Sequence, residues 1–172
     1  MLFERFLRAL NLEASLYREL KSDRGVEAQG FLVVVVAALA GELPGHLPVQ
    51  MGVLAARIGW ALSVWSLLDL AVYWVGTHFL GGDATYWEVL RCLGFAYAPA
   101  ALVGLAFVPV AGQALAVGSS IWSFLATVLA VREALGVPTM RAVGTTIAGL
   151  AIVLLVSFSL SDHGLSISGG QG

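Results

Sequence analysis

From Cys92 to Val131 the chain runs for 40 residues without a charged side chain. As one straight helix at 1.5 Å per residue this run would extend about 60 Å, twice the ~30 Å hydrocarbon thickness of a bilayer. It therefore has to fold back on itself. Pro109, Gly112 and Gln113 supply the break, because proline cannot continue a helix and glycine and glutamine interrupt the apolar pattern. The expectation is one span ending at Val108 and another from Ala114 to Val131.

Three further runs complete the pattern. Residues 26–41 are apolar apart from Glu27 and Gln29 at the start, and Glu42 follows; this is a first, short span. After the turn-rich stretch Glu42 to Gln50, Met51 to Thr77 is apolar except for Arg57 and Asp69. A last span runs from Ala142 to Ser161, before a Gly/Ser-rich tail. The composition agrees: 59% of the 172 residues are hydrophobic, 12% are charged, and the mean hydropathy is +0.88. A soluble domain carries about 25% charged residues, so soluble enzymes and disordered chains are poor fits. The sequence predicts an all-α integral membrane bundle of five transmembrane helices. A short amphipathic arm (1–24) precedes the membrane domain (25–161), and a flexible tail (162–172) follows it.

The cations give the orientation. Arg5, Arg8, Arg18, Lys21 and Arg24 precede the first span, Arg91 lies between the second and third, and Arg132 and Arg141 lie between the fourth and fifth. The opposite loops and the tail contain no Lys or Arg. Cytoplasmic loops hold the excess of positive charge, which predicts a cytoplasmic N-terminus and an outside C-terminus. With 9 Lys+Arg against 11 Asp+Glu, no basic surplus points to nucleic acid.

Within the arm, Phe3, Phe6, Leu7 and Leu10 recur at helical spacing. Asn11 is a candidate cap for a second helix carrying Leu12, Leu16 and Leu20. Such an arm either lies along the headgroups or packs back on the spans. In the connector after the second span, Thr85 and Glu88 have capping-box spacing, so a helix should begin at Tyr86.

Leu12 to Asp23, followed by Tyr73 to Pro99, carries Gly76-Thr77, Gly81-Gly82, Arg91 and Leu93-Gly94-Phe95-Ala96-Tyr97-Ala98-Pro99. This pattern resembles the prokaryotic branch of the Yip (Ypt-interacting protein) family, and the match covers most of the chain. The resemblance implies a five-span membrane protein with a cytoplasmic N-terminus, here in a prokaryotic inner membrane, without an established chemistry. Eukaryotic members are associated with Rab-type GTPases. That role is not transferred, because only about two dozen residues stand where those relatives carry a larger N-terminal domain.

Asp69 is the most unusual residue, since an acid within a span costs about 2.5 to 3.5 kcal/mol on insertion scales. Ser63, Ser66, Asp69 and Tyr73 follow at helical steps and form a polar stripe. The stripe either lines a proton, ion or solute path or fixes helix packing through a bond from Asp69 to Tyr97 or to a fourth-span hydroxyl. Glu42 and Arg57 are placed to form a clasp near the outer interface. Ser119, Ser123, Thr127, Gly144 and Gly149 mark helix-contact faces. His46, His78 and His163 have no metal-ligand spacing, and Cys92 is the lone cysteine, so neither a metal nor another cofactor is expected. No nucleophile elbow or phosphate loop occurs. The expected role is a non-enzymatic interaction, scaffold or accessory component that contacts the bilayer and another membrane protein or a second copy. A small transporter using Asp69 is the alternative.

Overall fold

The computed structural model describes residues 2–42, 51–105 and 112–168, with side chains for 2–41, 51–104 and 112–160. These residues form helices α1 (Leu2–Leu10), α2 (Ala14–Ser22), α3 (Glu27–Glu42), α4 (Met51–His78), α5 (Tyr86–Ala96), α6 (Gly112–Leu135) and α7 (Thr139–Ser168). A 3-10 segment, Ala98–Leu105, follows α5. Among the described residues three helices are long and apolar enough to cross a membrane: α4, α6, and α7 over Thr139–Leu160. The chain is thus an all-α helical bundle of membrane type. Helix α3 is apolar but has 16 residues, about 24 Å at the α-helical rise, and the region of the expected third span is not one helix. α5 stops at Ala96, because Pro99 cannot donate to the α-helical ladder, and the chain continues in the tighter 3-10 form. α7 runs past Ser161, where the sequence reading begins the tail. The break expected at Pro109 lies outside the described residues.

The ends of α4, α6 and α7 that carry the cationic connectors meet in one joint. Helix α6 closes on Gly136, whose φ of +65° suits glycine, while the Val137 amide donates to the Arg132 carbonyl in a Schellman arrangement. This presents Leu135 to the end of α4. A Cβ built at Gly76 would run into Leu135 Cδ1, and one at Gly82 would lie 3.0 Å from both the Gly76 carbonyl oxygen and Leu135 Cβ, so glycine at these positions leaves room for the leucine. The Leu135 carbonyl accepts from the Asp83 amide at 3.0 Å, and Arg141 Nη1 donates to the Leu80 carbonyl at 3.3 Å. The next helix starts where the sequence places it. Thr85 Oγ1 accepts from the Glu88 amide, and the Glu88 carboxylate accepts from the Thr85 amide, closing the capping box of α5.

Helices α3 and α5 cross with their backbones in contact. A Cβ on Gly94 would stand 2.8 Å from Gly30 Cα. Further along α3, a Cβ on Gly104 of the 3-10 segment would stand 3.0 Å from Ala40 Cβ. Beside the first crossing, the buried Arg91 donates from Nη1 to Glu27 Oε1 at 3.0 Å and from Nη2 to the Lys21 carbonyl at 2.9 Å. One guanidinium thereby holds α5, the start of α3 and the end of α2.

The arm folds onto this core. Helix α2 buries Leu16, Tyr17 and Leu20, packing against α5 and α6. Burial also pushes the Tyr17 phenol above its ordinary pKa. α1 lies antiparallel to α2, tied by Arg5 to Glu19 and Asp23 and by Arg8 to Glu13 and Glu19. Hydrogen bonds from Arg8 and Arg5 hold the Glu19 carboxylate below its usual range. The cap expected from Asn11 is not formed: Glu13 occupies the cap position, and its side chain pairs with Arg8 rather than capping the helix. The turn is made instead by Leu12 at φ +55°, with the Glu13 amide donating to the Arg8 carbonyl. Trp122 Nε1 donates to the Leu10 carbonyl, pinning the turn to α6.

The helix crossing makes a direct prediction. Gly94→Ala forces a methyl into the Gly30 backbone and should cost about 1–3 kcal/mol, whereas Gly144→Ala meets nothing within 4 Å and should be neutral or slightly stabilising. Thermal unfolding of the two variants in the same detergent checks this. A Gly94→Ala midpoint equal to that of Gly144→Ala would refute the close crossing.

Candidate functional site

The central residues of the sequence-predicted stripe do not share one environment. Ser63 and Ser66 are exposed on α4, and Ser63 Oγ is satisfied by the Gly59 carbonyl at 2.8 Å. Tyr73 is half-buried and meets Tyr86 edge-on, with ring centroids 6.0 Å apart. Asp69 is fully enclosed, between neighbours Leu68 and Leu70 whose burial differs sharply: Leu68 is buried and Leu70 exposed. Neither carboxylate oxygen has a hydrogen-bond partner among the described residues, so neither Tyr97 nor an α6 hydroxyl meets it. Tyr97 and Tyr86 do lie within electrostatic reach of the acid.

Behind this helix face a cavity of about 210 Å³ opens between α4, the end of α5, α6 and α7. Leu68, Tyr97, Phe124 and Leu150 form its apolar wall, and Ser120, Ser123, Thr127 and Thr146 its hydroxyl wall. Three of these hydroxyls donate to their own helices: Ser120 to the Ala116 carbonyl, Thr127 to Ser123 and Thr146 to Ala142. Ser123 Oγ is buried without a partner among the described residues, as is Ser119 Oγ one turn earlier. Asp69 itself does not line the cavity. The volume lies below the ~300–1,000 Å³ of ordinary ligand pockets. The chemistry offered is hydrogen bonding from a few hydroxyls, with no side chain placed as nucleophile against a base.

The proposed contact residues divide by surroundings. Ser119 and Thr127 are buried and Ser123 is half-buried, all three facing the bundle. A Cβ at Gly149 would stand 3.0 Å from Val72 Cγ2 and 3.2 Å from Leu68 Cδ1, which puts Gly149 in the α4–α7 contact. Gly144 faces open space. Arg57 is exposed on α4, and the side chain of Glu42, its expected partner, lies outside the described residues. Ser120 shares the hydroxyl-lined face of α6 that the sequence spacing marks, whereas Thr146 is not part of the expected polar set: only the register of α7 against α6 brings it beside Ser123 and Thr127, and no local motif marks it.

An all-helical bundle with three membrane-length apolar helices among the described residues defines a polytopic membrane protein. The model of the Yip1 domain matches residues 14–161, and the chain belongs to the Yip1-domain family. No curated protein and no solved structure matches it. The glycines and Arg91 that carry the resemblance occupy the joint and the α3–α5 crossing: Gly76 and Gly82 stand against Leu135 in the joint, while Gly94 meets Gly30 and Arg91 meets Glu27 at the crossing.

Because Asp69 loses no bond on substitution, its removal should relieve an uncompensated polar burial of about 1–3 kcal/mol. Asp69→Val is expected to raise the thermal unfolding midpoint of the detergent-solubilised chain, with Asp69→Asn close to the parent. A clear drop for Asp69→Val would mean that the carboxylate has a structural partner.

Proposed function

We propose that this Yip1-family membrane protein acts as a non-enzymatic interaction component of a membrane assembly, docking another membrane protein or a second copy at lipid level. The observation that carries this is the first half of α4. From Met51 to Val64 no residue is buried, yet the exposed face there is rich in small residues: Gly52, Ala55, Ala56, Gly59 and Ser63. A Cβ at Gly52 or Gly59 would meet nothing within 4 Å. Lipid contact alone asks for large apolar side chains. Small residues in a membrane helix allow a neighbouring backbone to approach closely, the usual basis of helix association there.

The reading includes five crossings, with α3 and the α5/3-10 region as the two shorter ones, in the cytoplasmic membrane of a prokaryote. The distribution of Lys and Arg supports placing the N-terminus and the α4–α5 and α6–α7 connectors in the cytoplasm. The stripe Ser63, Ser66, Asp69 and Tyr73, the Glu42–Arg57 clasp and the contact set on α6 and α7 serve packing and docking in this account. Transport through Asp69 requires an aqueous route to the acid, whereas its side chain is fully enclosed.

Extraction of native membranes in mild detergent tests the proposal. The chain should be recovered in a particle well above 18.0 kDa. Gly59→Leu should shrink that particle while leaving the thermal midpoint of the chain unchanged. Recovery only as a monomer across several gentle detergents would overturn the interaction reading.

A further inference from the structure

A second, wider opening lies on the charged end of the molecule, between the α2–α3 turn and the first turns of α5. It is a groove of about 520 Å³ lined by Arg24, Glu27, Thr85, Trp87, Glu88 and Arg91. The volume falls within the ordinary range for ligand pockets. Its charges divide into a closed pair and an open pair. Arg91 and Glu27 neutralise each other at 3.0 Å, and Glu27 Oε2 also accepts from the Gly25 amide. Arg24 is exposed and has no ionic or hydrogen-bond partner among the described residues. Glu88 has one carboxylate oxygen committed to the Thr85 amide at 2.8 Å, which leaves the other oxygen available.

One of the lining residues carries an unmet donor. Arg91 is 5% exposed, two of its nitrogens are satisfied, and its buried Nε–H finds no acceptor among the described residues. A guanidinium so far from water is stabilised by filling its remaining donor positions, and phosphate oxygens match that planar fork. The rim carries Trp87, 59% exposed and edge-on to Tyr86 with ring centroids 5.7 Å apart. Indole and phenol side chains of this kind sit at the headgroup level of a bilayer.

We propose that this groove binds the headgroup of a phosphatidylethanolamine lipid, with the phosphate on Arg91 and Arg24 and the ammonium on Glu88. The unclosed charges are one cation and one anion, so the complementary ligand is a zwitterion bearing N–H donors. An anionic lipid would leave Glu88 facing a negative headgroup. A choline lipid has no N–H to offer it.

The test uses the full chain, delipidated in mild detergent and titrated with palmitoyl-oleoyl phosphatidylethanolamine, phosphatidylglycerol or phosphatidylcholine, with bound lipid counted by native mass spectrometry. Phosphatidylethanolamine should be retained about tenfold more strongly than either of the others, the value of one charge-assisted hydrogen bond. Arg24→Gln should lower that retention by about tenfold, and Glu88→Gln should abolish the preference over phosphatidylglycerol. Both variants should keep the parental thermal midpoint, because Arg24 has no partner to lose and glutamine serves equally in a capping box. Equal retention of all three lipids, stronger retention of phosphatidylglycerol, or indifference of phosphatidylethanolamine binding to both substitutions would overturn the proposal. Displacement of the lipid by millimolar inorganic phosphate would also overturn it, by showing a simple anion site.

Discussion

A guanidinium removed from water must find its acceptors within the protein, and here that requirement falls on Arg91. The side chain reaches Glu27 at the first turn of α3 and the Lys21 carbonyl near the end of α2 while standing on α5. One planar group thus fixes the neighbouring ends of α2 and α3 to α5, more than 60 residues further along the chain. A buried ion pair is weak support for net stability, because desolvation offsets much of the attraction. Its value is specificity: any other arrangement of α2, α3 and α5 would leave a charge buried and unmatched. The arm docks because this anchor and the buried Leu16, Tyr17 and Leu20 act together.

Around the anchor, close approach of backbones replaces hydrophobic driving force. In a bilayer, apolar side chains gain little by leaving lipid for protein, so helix contacts depend on tight packing and on polar groups. The chain meets this with glycine at the crossings: Gly94 on Gly30, Gly149 on Val72, and Gly76 with Gly82 beneath Leu135. The residues through which the chain resembles the Yip family are thus largely the residues that let its charged end close.

Much of this was legible in the sequence, for physical reasons. The apolar runs had to become helices because lipid offers the backbone no hydrogen bonds, and α4, α6 and α7 appear close to where those runs lie. Thr85 and Glu88 announced the start of α5 because a capping box is local chemistry. The end of that helix at Ala96 was less visible. Pro99 signals an interruption but does not say that a 3-10 segment will follow. Leu12 in the left-handed region could not be anticipated, since tertiary contacts of the arm override the local preference for Asn11. The site was less readable than the fold. The spacing of Ser63, Ser66, Asp69 and Tyr73 is helical, but whether a residue faces lipid or core depends on the neighbours of α4, and these expose the two serines while enclosing the acid.

The account rests on coupling between the anchor and its carboxylate, and a double-mutant cycle measures that coupling directly. Arg91→Met, Glu27→Gln and the double variant would be unfolded under one set of detergent conditions. The account predicts that the double variant loses less stability than the two singles combined, by roughly 0.5–3 kcal/mol, toward the lower part of that range because the Glu27 side chain is 34% exposed. Strict additivity of the two substitutions would show that Arg91 does not hold α3 through Glu27, and would contradict the account at its base.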